Sequence, residues 1–211
     1  MKILSLSDII VSRIYSAQVK PLFGDVNIVL GCGDLPYYYL EFIASMLDVP
    51  VYFVRGNHAE VIEYQSEGPR THPHGAVDLH CKAVNCDGLL LAGVEGSIRY
   101  RRGPFQYSQP EMWSNVFRLV PKLLFNRILY GRYLDIFVTH ASPWGIHDKP
   151  DLPHHGVKAY RWLLKVFKPV YHFHGHIHVY RPDSQTDTKF FNTEVINTYG
   201  YRVTTINGIP K

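Results

Sequence analysis

Short apolar runs alternate with polar, glycine-containing breaks along the first half of the chain. Lys2–Ser7 reads as a strand that closes at Asp8, and the β-rich run Val26–Leu30 closes at Gly31-Cys32-Gly33-Asp34. Val51–Val54 is a further β run, ending at Arg55-Gly56-Asn57-His58. Between these, Pro36 to Leu47 places Leu40, Ile43, Ala44 and Leu47 at helical spacing behind a first-turn proline. Residues 60–76 carry Gly68, Pro69, Pro73 and Gly75, so a loop is expected there. Ala76–Val84 and Gly88–Val94 read as strands around an Asn85–Gly88 turn. A loop rich in Gly, Arg and Tyr covers 95–107. Ser108-Gln109-Pro110-Glu111 then has the capping-box pattern and opens a long helix to about Tyr130, kinked or broken at Pro121. Asp135–Val138 predicts a strand closing at Thr139-His140, and a long loop leads to Gly156. Val157–Phe167 is helical, and Pro169–Phe173 is a strand closing at Gly175-His176-Ile177-His178. The remainder, Val179–Ile209, reads as short strands with turns at Gly200 and Gly208, belonging to a second sheet.

The position of the polar residues organises this pattern. Five β runs in succession end in a side chain able to bind a metal or move a proton: Asp8, Asp34, Asn57 with His58, His140, and His176 with His178. Any one of these alone is an ordinary turn residue. Open α/β sheets bind ligands at the carboxyl ends of their strands, so five strand ends deliver these groups to one crevice.

Composition narrows the class. At 211 residues, a single domain over 1–211 is expected, large enough to bury a core without disulfides. The odd count of three cysteines has no zinc-ribbon spacing and suits a reduced, cytoplasmic setting. No apolar run is long enough to span a bilayer, the start MKILSLSDII has no small-residue cleavage site, and no membrane partner is expected. A net charge of +4 is a mild excess and makes nucleic acid an unfavoured partner. The 12 histidines are the outlying feature, since histidine is both the commonest metal ligand and the usual acid or base at neutral pH.

Ser7-Asp8, Gly33-Asp34, Gly56-Asn57-His58, Thr139-His140 and Gly175-His176-Ile177-His178, in that order, resemble the calcineurin-like metallophosphoesterases. The resemblance spans Asp8 to His178. It implies an α/β fold, a four-layer αββα sandwich of two mixed sheets, with a site for two divalent metals (Mn, Fe, Zn, Co or Ni). It assigns one metal to Asp8, Asp34 and His178 and the other to Asp34, Asn57, His140 and His176, with Asp34 bridging. His58 is then the residue that contacts the phosphate and helps protonate the leaving oxygen. The activity implied is phosphoester hydrolysis by metal-bound hydroxide on a small phosphoester or nucleotide. A diester is favoured over a monoester.

The charges fit that assignment. Two divalent ions bring four positive charges, of which Asp8 and Asp34 cancel two; the remainder suits a hydroxide and an anionic phosphate. Two departures stand out. The family's first motif is Asp-x-His, whereas this chain has Asp8-Ile9-Ile10, so the first site is a ligand short. The acidic residue that usually follows Asn-His is Ala59 here, with Glu60 one place later. Ile10 also supports an alternative reading, a non-catalytic interaction module on the same fold.

Further candidates flank the site. His147 and His155, in the polar loop after His140, are substrate-contact candidates whose alternative is a plain surface loop. Arg99, with Arg101, Arg102 and nearby aromatics, offers phosphate binding and base stacking against the alternative of a solvated loop. His172 and His174 alternate with His176 and are expected on one strand face. His72 and His74 lie in a loop that can reach the site. One of Tyr37, Tyr38 and Tyr39 is expected to line the pocket while core packing takes another.

Overall fold

The computed structural model describes residues 1–65, 68–181 and 183–206. Two large mixed sheets pack face to face with helices on both outer sides. The first sheet runs Gly200–Thr205, Lys2–Ser7, Ile28–Cys32, Val51–Val54, Ala76–Asp78 in spatial order. Its first pair is antiparallel and the rest are parallel. The second runs Asp187–Phe190, Thr193–Asn197, Tyr171–His174, Ile136–Thr139, Leu89–Val94, Lys82–Cys86, with antiparallel edges around a parallel centre.

Strand alternation builds three apolar layers. Ile28, Leu30, Tyr52 and Val54 meet Ile136, Val138, Tyr171 and Phe173 between the sheets. Val29, Val51 and Phe53 face the helices Val19–Phe23 and Tyr37–Leu47. Phe137 and Val195 face the helices Gln109–Tyr130 and Lys158–Phe167. Central strands covered on both faces read as continuous apolar runs, which is why their sequences show little polar alternation.

The parallel strands share one direction, so their carboxyl ends lie along one edge, and the loops that carry Asp8, Asp34, Asn57, His140 and His176 start there.

Several sequence expectations need correction. Ala76–Val84 is not one strand: Ala76–Asp78 belongs to the first sheet and Lys82–Cys86 to the second, with buried Leu79 filling the space between them. The long helix is continuous through Pro121. Its missing N–H leaves the Phe117 carbonyl without a helical partner, on the water-exposed side where solvent can satisfy it. The late strands do not all join the second sheet, because Gly200–Thr205 returns to pair with Lys2–Ser7. The stretch read as a loop after residue 60 contains a short antiparallel strand pair, Glu63–Gln65 against Gly68–Arg70. Helix Val19–Phe23 lies in a stretch with no sequence assignment. Gly200, expected in a turn, is instead the first residue of its strand, paired with Ser7, and has φ +77°; Gly208 lies outside the described residues.

Candidate metal centre

The structure brings the six strand-end ligand candidates together. One ligand atom each from Asp8, Asp34 and His140 fall within 4.8 Å of one another. His140 is fully buried, and its Nδ1–H donates to the Cys32 carbonyl at 2.9 Å. That bond leaves Nε2 to face Asp34 Oδ2 at 3.1 Å and Asn57 Oδ1 at 3.0 Å. Asn57 is oriented by its own amide, which donates to the Tyr100 hydroxyl at 3.2 Å. Carboxylate and amide oxygens only accept, so this convergence of acceptors is built around a cation or a proton.

The ligands are held by backbone as much as by side chains. The His176 amide donates to both Asp8 oxygens at 3.1 Å, and the His58 amide donates to Asp34 Oδ1 at 2.7 Å. His176 Nε2–H donates to Pro153 O at 2.7 Å, which leaves Nδ1 unprotonated beside His140, whose ring centre is 4.9 Å away. His178 Nε2 lies 3.6 Å from Asp8 Oδ1, and its Nδ1 bonds the Tyr180 hydroxyl at 2.8 Å. Two glycines make the approach feasible. A Cβ on Gly33, which has φ +94°, would stand 2.3 Å from His140 Nδ1, and one on Gly56 would stand 2.1 Å from Asp34 Oδ1.

The charges are strongly coupled. Burial alone would raise the Asp34 carboxyl, but His140 and the His58 amide outweigh it and hold the group at about 2. Burial likewise opposes a charge on His140, yet Asp34, Asp8 and the Cys32 carbonyl raise it to about 9. A proton on Nε2 and a metal therefore compete for the same place. His176, desolvated and beside His140, is pushed down to about 4.

His58 is exposed and lines a cleft of about 350 Å³ together with Asp34, Tyr38, Glu60, Glu63 and Tyr64. Arg101 donates to His58 Nδ1 at 3.3 Å, which fixes the tautomer with its proton on Nε2. Tyr38 is the exposed member of its tyrosine run, while Tyr37 and Tyr39 are buried.

The flanking candidates sit elsewhere. Arg99 pairs with Glu111 at 2.9 Å, so within its loop Tyr100 and Arg101 are the residues beside Asn57 and His58. His147 donates to His174 Nε2 at 2.9 Å and accepts from Thr188 at 2.8 Å, which engages both ring nitrogens. His155 caps the short turn Leu152–His154; its neighbour His154 lies with its ring centre 5.3 Å from that of His176, the two rings tilted by 44°, and bonds Asp151. His172 and His174 share a strand face as expected, but the strand ends at His174 and His176 turns away to His140. His74 meets Glu41 and Arg70 rather than the centre.

Arg55 was missed. It donates to Asp78 at 2.7 Å and Glu95 at 3.4 Å beneath the Gly56-Asn57-His58 loop; burial lowers its pKa, but the Tyr37 hydroxyl and the Asp78 carboxylate outweigh that and raise it. The available signal was a charged residue following directly on the apolar run Val51–Val54.

A sequence profile of the calcineurin-like phosphoesterases matches residues 1–180. No curated protein sequence matches the chain. Among solved structures, the protein TT1561 of Thermus thermophilus is similar at 16% identity and TM-score 0.60, over 94% of this chain and 89% of that one. A second structure aligns at 16% identity and TM-score 0.65, over 96% and 93%. At that identity the likeness extends to the fold.

Proposed function

Because the chain belongs to the calcineurin-like phosphoesterase family, we propose that it hydrolyses a phosphoester, a diester in preference to a monoester, with two divalent cations held at the strand ends. The observation that carries this reading is the convergence of Asp8, Asp34, Asn57 and His140 acceptors beside an exposed histidine. Asp8, Asp34 and His178 form one ligand set, and Asp34, Asn57, His140 and His176 the other. Divalent cations bound there supply positive charge to the phosphate and make hydroxide available near neutral pH.

The chain's own residues do the rest. Asp34 joins the two sets and is kept ionised by His140. The Cys32 carbonyl and the Pro153 carbonyl select which ring nitrogen His140 and His176 present. His58 protonates the leaving oxygen from Nε2 in its doubly protonated form, for which Arg101 leaves Nδ1 and meets a phosphate oxygen instead. The preference for a diester rests on Ile10: a first set short of one ligand neutralises a doubly charged monoester less well. The second reading, a non-catalytic interaction module, is favoured by the same residue.

The test compares an aryl phosphate diester with its monoester in the presence of Mn²⁺. Diester turnover should be faster, and a chelator should abolish it. Asp34→Asn should lose metal and activity together. His58→Asn should lower kcat by roughly 10²–10⁴ with metal content unchanged. Full metal loading without turnover of either ester would favour the interaction module.

A further inference from the structure

Helix Gln109–Tyr130 carries two apolar seams; the core buries one, and of the other Trp113 and Val120 pack partly against it, together with Trp162. Met112, Val116, Leu119 and Leu123 are buried against the second sheet's layer. Trp113, Phe117, Val120, Leu124 and Ile128 follow at i, i+4, i+7, i+11 and i+15, which places them on a second face of the helix. On that face Phe117 is 52%, Leu124 49% and Ile128 80% exposed. Trp162 extends the seam onto the neighbouring helix Lys158–Phe167, with ring centres 5.4 Å from Trp113 and 5.5 Å from Phe117. From Trp113 to Ile128 the strip is roughly 22 Å long at 1.5 Å per residue.

The charge around this strip is one-sided. Residues 112–133 hold Arg118, Lys122, Arg127 and Arg132, and residues 157–168 hold Lys158, Arg161, Lys165 and Lys168; neither stretch has an Asp or Glu. The whole chain is only +4, so these two stretches carry +8 and the remainder is net −4. Arg132 pairs with Asp135, and Lys158 and Arg161 lie over Trp144. Among the described residues, no carboxylate lies within 4.0 Å of Arg118, Lys122, Arg127, Lys165 or Lys168.

We propose that this outer face docks on an anionic lipid surface, with the apolar seam in the headgroup region and the flanking bases against lipid phosphates. Among the described residues no helix is long and apolar enough to cross a membrane; lying on one needs only an exposed apolar strip with basic edges. Charge complementarity selects the occupant. A second copy would set one basic face against another, at an electrostatic cost. The seam's Ile128 end lies towards Arg132 and Asp135 at the strand starts, away from the candidate metal centre past the strand ends at His140, while its Trp113 end follows the helix's first turn, where Glu111 pairs with Arg99.

The test is co-sedimentation of the purified chain with phosphatidylcholine vesicles, with and without phosphatidylglycerol. Wild type should bind the anionic vesicles selectively, less so as salt is raised. Arg118→Gln and Lys122→Gln should each weaken binding about fivefold. Leu124→Ser with Ile128→Ser should abolish it while leaving phosphoester turnover and thermal stability unchanged. These positions are exposed, so the variants should fold, and vesicle binding is read independently of any catalysis. Failure to bind, equal binding to neutral vesicles, or retention by the Leu124→Ser/Ile128→Ser variant would overturn the proposal. So would a dimer in light scattering that this variant disperses, which would assign the face to a second copy, or seam-dependent capture of an acidic protein without vesicle binding.

Discussion

Ile10 occupies the place where the family pattern puts a histidine, two residues past Asp8, and it is 39% exposed. Isoleucine offers no lone pair, so the set Asp8, Asp34 and His178 should bind its metal more weakly than the set containing His140. The loss of even an outer hydrogen-bond partner typically costs about 10–100-fold in metal affinity. Ile10→His should therefore lower the Mn²⁺ concentration needed for half-maximal diester hydrolysis by at least about tenfold. Identical metal dependence in the two proteins would mean that another side chain already completes the site. His147 is a poor substitute because both its ring nitrogens are engaged, which leaves His154 as the neighbour to replace next. The strand-end residues were legible in the sequence because each sits within about five positions beyond an apolar run. The loop of Tyr100 and Arg101 was legible as a candidate, but which of its arginines reaches the centre was not, because that is set by how the loop folds. Two positions separate Arg101, which meets His58, from Arg99, which meets Glu111.

The strand Val51–Val54 and the loop after it depend on a contact among three separate elements. Arg55 ties that loop to Asp78 at the end of the next strand and to Glu95 at the end of a strand in the other sheet. It also accepts the faces of Phe53 and Phe105 at 5.6 and 5.5 Å. Arg55→Ala removes the cation and leaves Glu95, whose side chain is 6% exposed, beside Asp78 without it. The expected cost is about 3 kcal/mol, the lower end for breaking a buried pair because Asp78 stays partly wet. Urea unfolding at neutral pH would measure it; a loss below about 1 kcal/mol would mean that water replaces the guanidinium. Asn57 should also be displaced, so metal affinity in the His140 set should fall together with stability. Elements with a strong period or a local cap were readable, such as Tyr37–Leu47 and the Ser108 capping box, where Glu111 accepts from the Ser108 amide at 2.6 Å. The crossing between sheets at Leu79 was hidden, because a strand that leaves one sheet for another keeps its apolar alternation. The return of Gly200–Thr205 to Lys2–Ser7 depends on contacts nearly 200 residues apart, which no local pattern encodes.

Across the whole molecule, buried histidines set the pH range of stability from both sides. Burial, helped by His147, pushes His172 down to about 3; burial and His140 push His176 to about 4, and His174 is also held well below its usual value. Once unfolded, these rings titrate near pH ~6.5. As pH falls below that value the unfolded chain takes up protons that the folded chain cannot, so stability is lost progressively towards pH 4. His140 acts in the opposite direction. Without metal its folded pKa is about 9, so its contribution is complete below ~6.5 and disappears as pH rises through 9. The urea midpoint of the metal-free chain should therefore peak near pH ~6.5 and fall on both sides. Mn²⁺ should remove the alkaline fall, because the cation takes the place of the His140 proton. The acid limb can be assigned separately through His172, which packs 4.9 Å from Phe137 and has a buried Nδ1 with no partner among the described residues. His172→Phe removes that unpaired nitrogen while Thr139 keeps its bond to the Ala141 carbonyl at 2.7 Å. The variant should match wild type at neutral pH and show a shallower acid limb; an unchanged acid slope would assign the proton uptake to His174 and His176 instead.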